Sequence, residues 1–262
     1  MHASVIIALP SDADTGDIDD AVAHQMEPFE MRYSNDAHYS GNTQNEWDWY
    51  QVGGRWTGFF DPSYNPNTDP KNIETCKLCN GTGTRTDMVA ENGCNGCKGT
   101  GKHVKWPTSW ARFGGDVMRK SDINFKAIKD HAATLAAKRF DEVSNVIAGR
   151  PFKTHQEMNP SGNDAAAREA YWAQPPIKDL QKLDGWVMNP AEFLVPREDY
   201  IAKKHDEAIS AFAFLKDREW VSQSWSWSWH GPEVHEWNTN FMEQFITPLP
   251  DDTILVVVDF HS

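Results

Sequence analysis

Two copies of one eight-residue word hold every cysteine in the chain: Cys76-Lys-Leu-Cys79-Asn-Gly81-Thr-Gly83 and Cys94-Asn-Gly-Cys97-Lys-Gly99-Thr-Gly101. Each word puts two thiols on one tight turn, and the stretch 80–93 is long enough for the second turn to fold back onto the first. This pattern predicts a tetrahedral four-thiolate site built by Cys76, Cys79, Cys94 and Cys97, holding one structural Zn(II) per chain. The glycines have a reason of their own. Amides that turn toward sulfur need tight backbone, often with positive φ, which glycine adopts without a Cβ clash. Four thiolates leave no open coordination position, so the ion is not expected to activate water. Its work is to fold a loop too polar to fold alone, at about 10 kcal/mol or more.

Two rival readings of the cysteines fare worse. A chain of 262 residues has the volume to bury a core and does not need disulfide staples. Residues 1–10 carry no basic leader and a short apolar run, so no signal peptide is read there and a reducing cytoplasm is the expected compartment. A redox pair would need only one CxxC and would not place Gly after each pair at two fixed offsets.

The doubled word resembles the cysteine-rich zinc domain of DnaJ-type co-chaperones, over residues 76–101 only. There such words pair to hold zinc and form a surface for unfolded chains and partners. Two words stand here where those chaperones have four, implying one metal site, and neither a His-Pro-Asp tripeptide nor a Gly/Phe-rich linker is present. Segments 47–56 and 249–261 look similar to small proteins from bacteriophages and actinobacteria. That likeness implies no activity; it points to a phage or mobile-element origin and to interference with a host system.

No apolar run approaches the roughly 20 residues that cross a bilayer, so no membrane partner is expected. The formal charge of −13 argues against nonspecific attraction of the whole surface to DNA or anionic lipid. Residues 98–129 depart from this balance, with eight Lys/Arg against Asp116 and Asp122, so the window is +6 and the remainder −19. It reads either as a solvated face beside the metal loop or as a basic patch. In the second case Lys102, Lys105 and Arg112 would meet phosphate or an acidic partner, with Trp106 and Trp110 as stacking groups.

The chain ends read as one α+β body. Residues 5–9 and 253–260 form apolar strands, the second uninterrupted and so covered on both faces. Ile18, Val22 and Met26 recur at helical spacing behind an acidic N-terminus, and residues 47–56 read as a strand bent at Gly53-Gly54. A long helix places Ile128, Ala132, Leu135, Phe140, Val143 and Ile147 on one face and stops at Gly149 and Pro151. Further helices are expected from 164 to 174, halted by Pro175-Pro176, from Pro196 through Phe212, and from Pro232 through Phe245, with a strand at 186–188. The expected architecture is a ferredoxin-like sandwich built from 1–70 and 180–262. A zinc-binding insertion at 71–105 and a helical insertion at 106–179 interrupt it.

Trp225, Trp227 and Trp229 alternate with serines, so in a strand they share one face, either buried under a helix or exposed as a platform. His230, Glu233 and His235 read as scattered surface residues or as a metal or catalytic group. Asp48 and Arg55 read as a structural ion pair or caps. No P-loop, dinucleotide fingerprint or nucleophile elbow appears, and no catalytic constellation is legible. The leading expectation is a non-enzymatic zinc protein that binds another macromolecule, most plausibly a protein. Nucleic-acid binding through the loop and the basic window is the second. The third is an enzyme whose site gathers residues remote in sequence, such as His230, Glu233, His235, Asp48 and His261.

Overall fold

The computed structural model describes residues 2–13, 17–31, 46–65, 70, 73–85, 93–104, 115–159, 164–183, 187, 189–223 and 232–262. The chain divides into two compact units, one made of 1–124, 211–227 and 243–262, the other of 125–210 and 228–242. The helical unit thus runs past residue 179, where the sequence reading ended it, and takes up the helix that follows Pro232.

The first unit is organised by β1 (His2–Leu9) and β8 (Ile254–His261), which pair antiparallel from His2↔His261 to Leu9↔Ile254. Nearly every residue of both strands is buried, because both faces are covered, as uninterrupted apolar runs require. β1 also pairs parallel with β6 (Ala213–Lys216), and β6 turns into β7 (Glu219–Ser222). The far edge of β8 is shared by two short strands. β2 (Trp49–Val52) pairs with residues 258–261 and β5 (Val117–Arg119) with 254–256. At the junction, the Val257 N–H donates to the Asp116 carbonyl (3.0 Å) and the Val257 carbonyl accepts from the Gly53 N–H (2.8 Å).

Alternation sorts the side chains into two faces. Val5, Ile7, Leu9, Leu215, Val256, Val258 and Phe260 pack with Ile18, Val22 and Met26 of α1 (Ile18–Met26). Each such buried aliphatic contributes roughly 1.5–3 kcal/mol. The Trp47 indole N–H donates to the Met26 carbonyl (2.9 Å) and satisfies a group at the end of that helix. The opposite face carries Ile6, Leu255 and Val257, and at one end the polar set His2, Ser4, Gln51, Asp259 and His261.

The strand order β2-β8-β1-β6-β7 makes a mixed α+β sheet from both chain ends. It departs from the ferredoxin-like order in two respects: β2 and β5 extend the sheet beyond β8, and the hairpin is reversed. There the parallel neighbour of the first strand is the second strand of the following hairpin; here it is the first, and β7 lies outside it. The sequence reading carried a helix from Pro196 to Phe212 and saw no hairpin. In the structure α6 (Arg197–Asp206) ends at Asp206, and the β6–β7 turn at Asp217-Arg218 has none of the glycine that signals such turns.

The second unit centres on α2 (Phe125–Ile147), α3 (His155–Met158), α4 (Ala165–Ala173), α5 (Pro175–Leu180), α6 and α7 (Pro232–Phe241). Ile128, Phe140, Val143 and Ile147 of α2 are buried as the periodicity implies, but Leu135 is 53% exposed, and Ala136 takes the inward position. Phe140, Phe193 and Tyr200 form a ring triad with centroids 4.8–6.1 Å apart. Asp164 caps α4 by accepting from the Ala167 N–H. Pro175-Pro176 ends α4 and also opens α5, because a proline at the first helical position has no N–H to lose. Of the expected strand at 186–188 only Val187 is described, with no strand assigned, and the serine-spaced tryptophans 225, 227 and 229 lie outside the described residues.

Candidate metal centre

β3 (Ile73–Thr75) and β4 (Lys102–Val104) pair antiparallel and close the base of the cysteine loop. Above them the two words fold into matching halves. The Cys76 carbonyl accepts from the Gly81 N–H (3.2 Å) and the Cys94 carbonyl from the Gly99 N–H (3.3 Å). The Cys79 and Cys97 carbonyls accept from the Thr82 and Thr100 N–H groups at 3.1 and 3.0 Å, and from their hydroxyls at 2.7 Å each. The halves are also stitched to each other. The Cys76 N–H donates to the Gly101 carbonyl (2.9 Å), and the Cys94 N–H to the Gly83 carbonyl (2.7 Å).

This stitching explains the final glycine of each word. Gly83 and Gly101 have φ of +77° and +72°, and a Cβ on either would collide with the carbonyl of Gly99 or Gly81 across the seam. Their N–H groups point at sulfur: Gly83 to Cys79 Sγ (3.3 Å) and Gly101 to Cys97 Sγ (3.2 Å).

The four Sγ atoms are buried and all lie within 4.8 Å of one another. Cys76–Cys94 and Cys79–Cys97 are 3.8 and 3.7 Å apart. A zinc–sulfur bond of about 2.3 Å puts tetrahedral sulfurs about 3.8 Å apart, so the cage has the right size for that ion. Burial pushes the Cys76 thiol up to about 11. Burial acts the same way on Cys79, but the Gly83 N–H, the thiols of Cys97 and Cys76 and the Gly81 N–H together bring it down to about 6. Donors to one sulfur of the set favour the thiolate that a divalent ion requires. Four sulfurs would complete a tetrahedral coordination sphere, leaving a metal held there no seat for a substrate.

The other expected site residues do not join this centre. Lys102 is exposed on β4, while Lys105, Trp106, Trp110 and Arg112 lie outside the described residues. Much of the remaining basic window is internally engaged. Arg119 donates to the carbonyls of Asp252 and Ser11, Lys120 to those of Thr247 and Leu249, and Lys126 to Asp130. His235 on α7 faces Glu207 (Nδ1 to Oε1, 2.7 Å), and His230 is outside the described residues. Among the described residues, the cysteines are the only set of three or more side chains arranged to hold a metal.

Asp48 and Arg55 do not pair with each other. Asp48 takes His261 (Oδ1 to Nδ1, 2.8 Å), while Asp259 takes His2 (Oδ1 to Nδ1, 2.9 Å) and the Arg55 backbone N–H (3.2 Å). Sequence reasoning passed over His2 and Asp259. They are remote in the chain, and only the β1–β8 register joins them. No family model, curated protein or solved structure matches the chain.

Proposed function

We propose that this chain is a zinc-structured binding protein that recognises another macromolecule, a protein, through the surface of its cysteine knuckle. The observation that carries the reading is the cluster of four buried sulfurs: filled by one ion it would be saturated, fixing a loop and offering no chemistry. On that fixed loop Leu78 stands between two ligands and is 57% exposed, covering Gly96 of the opposite turn. Lys77, Lys98 and Lys102 are exposed in the same module. An exposed apolar side chain on a module that also carries exposed lysines fits a partner surface with an apolar socket and acidic groups. The knuckle is too small to bind by area alone, so one anchoring residue must dominate.

The test is affinity capture from the native host with intact protein and with Leu78→Asp, which leaves all four ligands in place. The expected result is one protein retained by the intact chain and lost with Leu78→Asp while zinc content stays at one per chain. Equal capture by both, or by a Cys76→Ser/Cys79→Ser variant, removes the knuckle as the recognition surface.

A further inference from the structure

At one end of the central sheet, β1, β2 and β8 bring two imidazole–carboxylate pairs side by side. His2 is held through Nδ1 by Asp259, whose side chain is 2% exposed, and His261 through Nδ1 by Asp48. The two imidazole centroids are 5.2 Å apart. A carboxylate can only accept, so each Nδ1 carries the proton and each Nε2 is the ring nitrogen left for chemistry. Around the pair stand two exposed groups suited to a ligand, Trp49 and Arg55, and beneath them one buried donor. Trp49 packs edge-on against His2 at 5.6 Å and keeps 40% of its surface exposed. The Arg55 guanidinium, 64% exposed, sits 3.9 Å from Asp259. Gln51, directly opposite Asp259 in register, is buried to 9% exposure with its Nε2 donor unpartnered.

The geometry points to a second functional site: a metal-independent acid–base centre that cleaves single-stranded RNA, with His2 and His261 as the proton-transferring pair. Metal chemistry is disfavoured by the residues present, since these side chains do not converge as three ligands and a guanidinium stands beside them. The serine on this face, Ser4, is buried, so the described strand residues of this face offer no exposed hydroxyl or thiol nucleophile. A centre with two acid–base groups, a cation and an aromatic plate, but no nucleophile, suits a substrate that carries its own. The ribose 2′-hydroxyl is such a nucleophile. Its oxygen bonds the adjacent phosphorus while its proton passes to the Nε2 of the neutral imidazole. The bond from phosphorus to the 5′-oxygen breaks, and that oxygen takes a proton from the Nε2 of the other, protonated imidazole. The products are a 2′,3′-cyclic phosphate and a 5′-hydroxyl, and water returns the two rings to their starting protonation states. Arg55 would receive phosphate oxygens, and Trp49 would stack a base. Asp259 and Asp48 are positioning residues that fix tautomer and ring orientation.

The zinc-loaded full chain is incubated with a fluorescent single-stranded RNA and the matching DNA, without added divalent cation. Cleavage of the RNA alone, with cyclic-phosphate ends and a bell-shaped pH profile, is expected. His261→Asn, at the exposed end of β8, should reduce the rate about 100-fold or more. Asp48→Asn should lower it less and displace the limbs of the profile, which a merely structural role would not do. If His2→Asn fails to hold its fold, judged by zinc content and melting temperature, His261→Asn alone decides. Equal cleavage of DNA, binding of RNA without cleavage, no activity, or a rate unchanged in His261→Asn purified in parallel would each overturn the proposal. None of these outcomes bears on capture through Leu78.

Discussion

Gly54 lies directly against Asp259. Its φ is +56°, and a β-carbon there would stand 2.5 Å from the Asp259 Cβ and 2.7 Å from Oδ2. The preceding Gly53 has the same relation to Asp116, a fully buried carboxylate that accepts from the Thr57 hydroxyl and the Gly58 N–H. Two successive left-handed residues let the chain turn tightly over two buried acids. Gly54→Ala therefore combines a steric clash with left-handed strain and should cost about 1–3 kcal/mol. It should also pull the Arg55 amide away from Asp259. Thermal denaturation measures the first effect, and His2 ring resonances, sensitive to the placement of Asp259, report the second. An unchanged melting temperature would mean the turn is looser than these distances imply.

One zinc per chain is expected by elemental analysis of protein purified without chelator. Any single cysteine-to-serine change should lose it, and Gly83→Ala should weaken it without touching a ligand, because the added carbon meets the Gly99 carbonyl. The bound metal requires thiolates, so acid releases it as protons compete for sulfur. With the metal removed, the 73–104 module should become protease-sensitive while the helical unit, which has its own core, keeps its far-ultraviolet signal. Retention of zinc by the Cys76→Ser protein would contradict the four-ligand cage.

The cysteine cluster was legible because its information is local: spacing brings the four sulfurs together, and glycine offsets set the backbone. The central strands were legible as well, since runs such as 253–260 carry their burial in composition. The histidine pair was legible only in part: His261 and Asp48 stood among the remote candidates, while His2 and Asp259 did not. His2 lies next to the start of the chain and His261 next to its end. Their meeting depends on the His2↔His261 register, which is a property of the folded sheet. Leu135 failed for a related reason. It falls on the apolar stripe of α2 by period alone, but Ala136 is the residue that the surrounding helices cover.

The β6–β7 hairpin carries avoidable strain. Asp217 and Arg218 have φ of +53° and +62°, the pattern of a type I′ turn, which favours Asn-Gly. A non-glycine residue in the left-handed region costs roughly 1–2 kcal/mol. Arg218 recovers part of this through contacts to α1 and the turn after it. Its backbone N–H donates to the Gln25 side chain (2.8 Å), and its guanidinium lies 3.5 Å from Glu27. The double change Asp217→Asn/Arg218→Gly keeps the backbone bond and gives up three exposed side-chain contacts, Arg218 to Glu27 and to His24 and Asp217 to Lys216, each worth little. A net gain of about 1 kcal/mol is expected, read as a higher denaturation midpoint. A loss would show that the Arg218 guanidinium matters more than its exposure implies.

Acid should loosen the helical unit through three carboxylates. The hydrogen bonds from Arg197 hold Asp141 below the usual aspartate range, Lys182 and then Arg150 do the same for Asp179, and the Thr154 backbone N–H and hydroxyl do so for Glu157. A carboxyl with a folded pKa below its unfolded value binds fewer protons in the native state. Its stabilisation is complete above the unfolded pKa and disappears as pH falls through the folded one. The unit should therefore hold constant stability near neutrality and weaken progressively below about pH 4. These groups lie at the surface, so each effect is small and screened by salt. Melting followed through the helical signal from about pH 6 to pH 2 tests the slope, and Asp179→Asn, which breaks the link from Arg150 on the turn after α2 to α5, should flatten part of it. A slope that survives Asp141→Asn and Asp179→Asn together would assign the acid sensitivity elsewhere, since both changes leave the Phe140–Phe193–Tyr200 core intact.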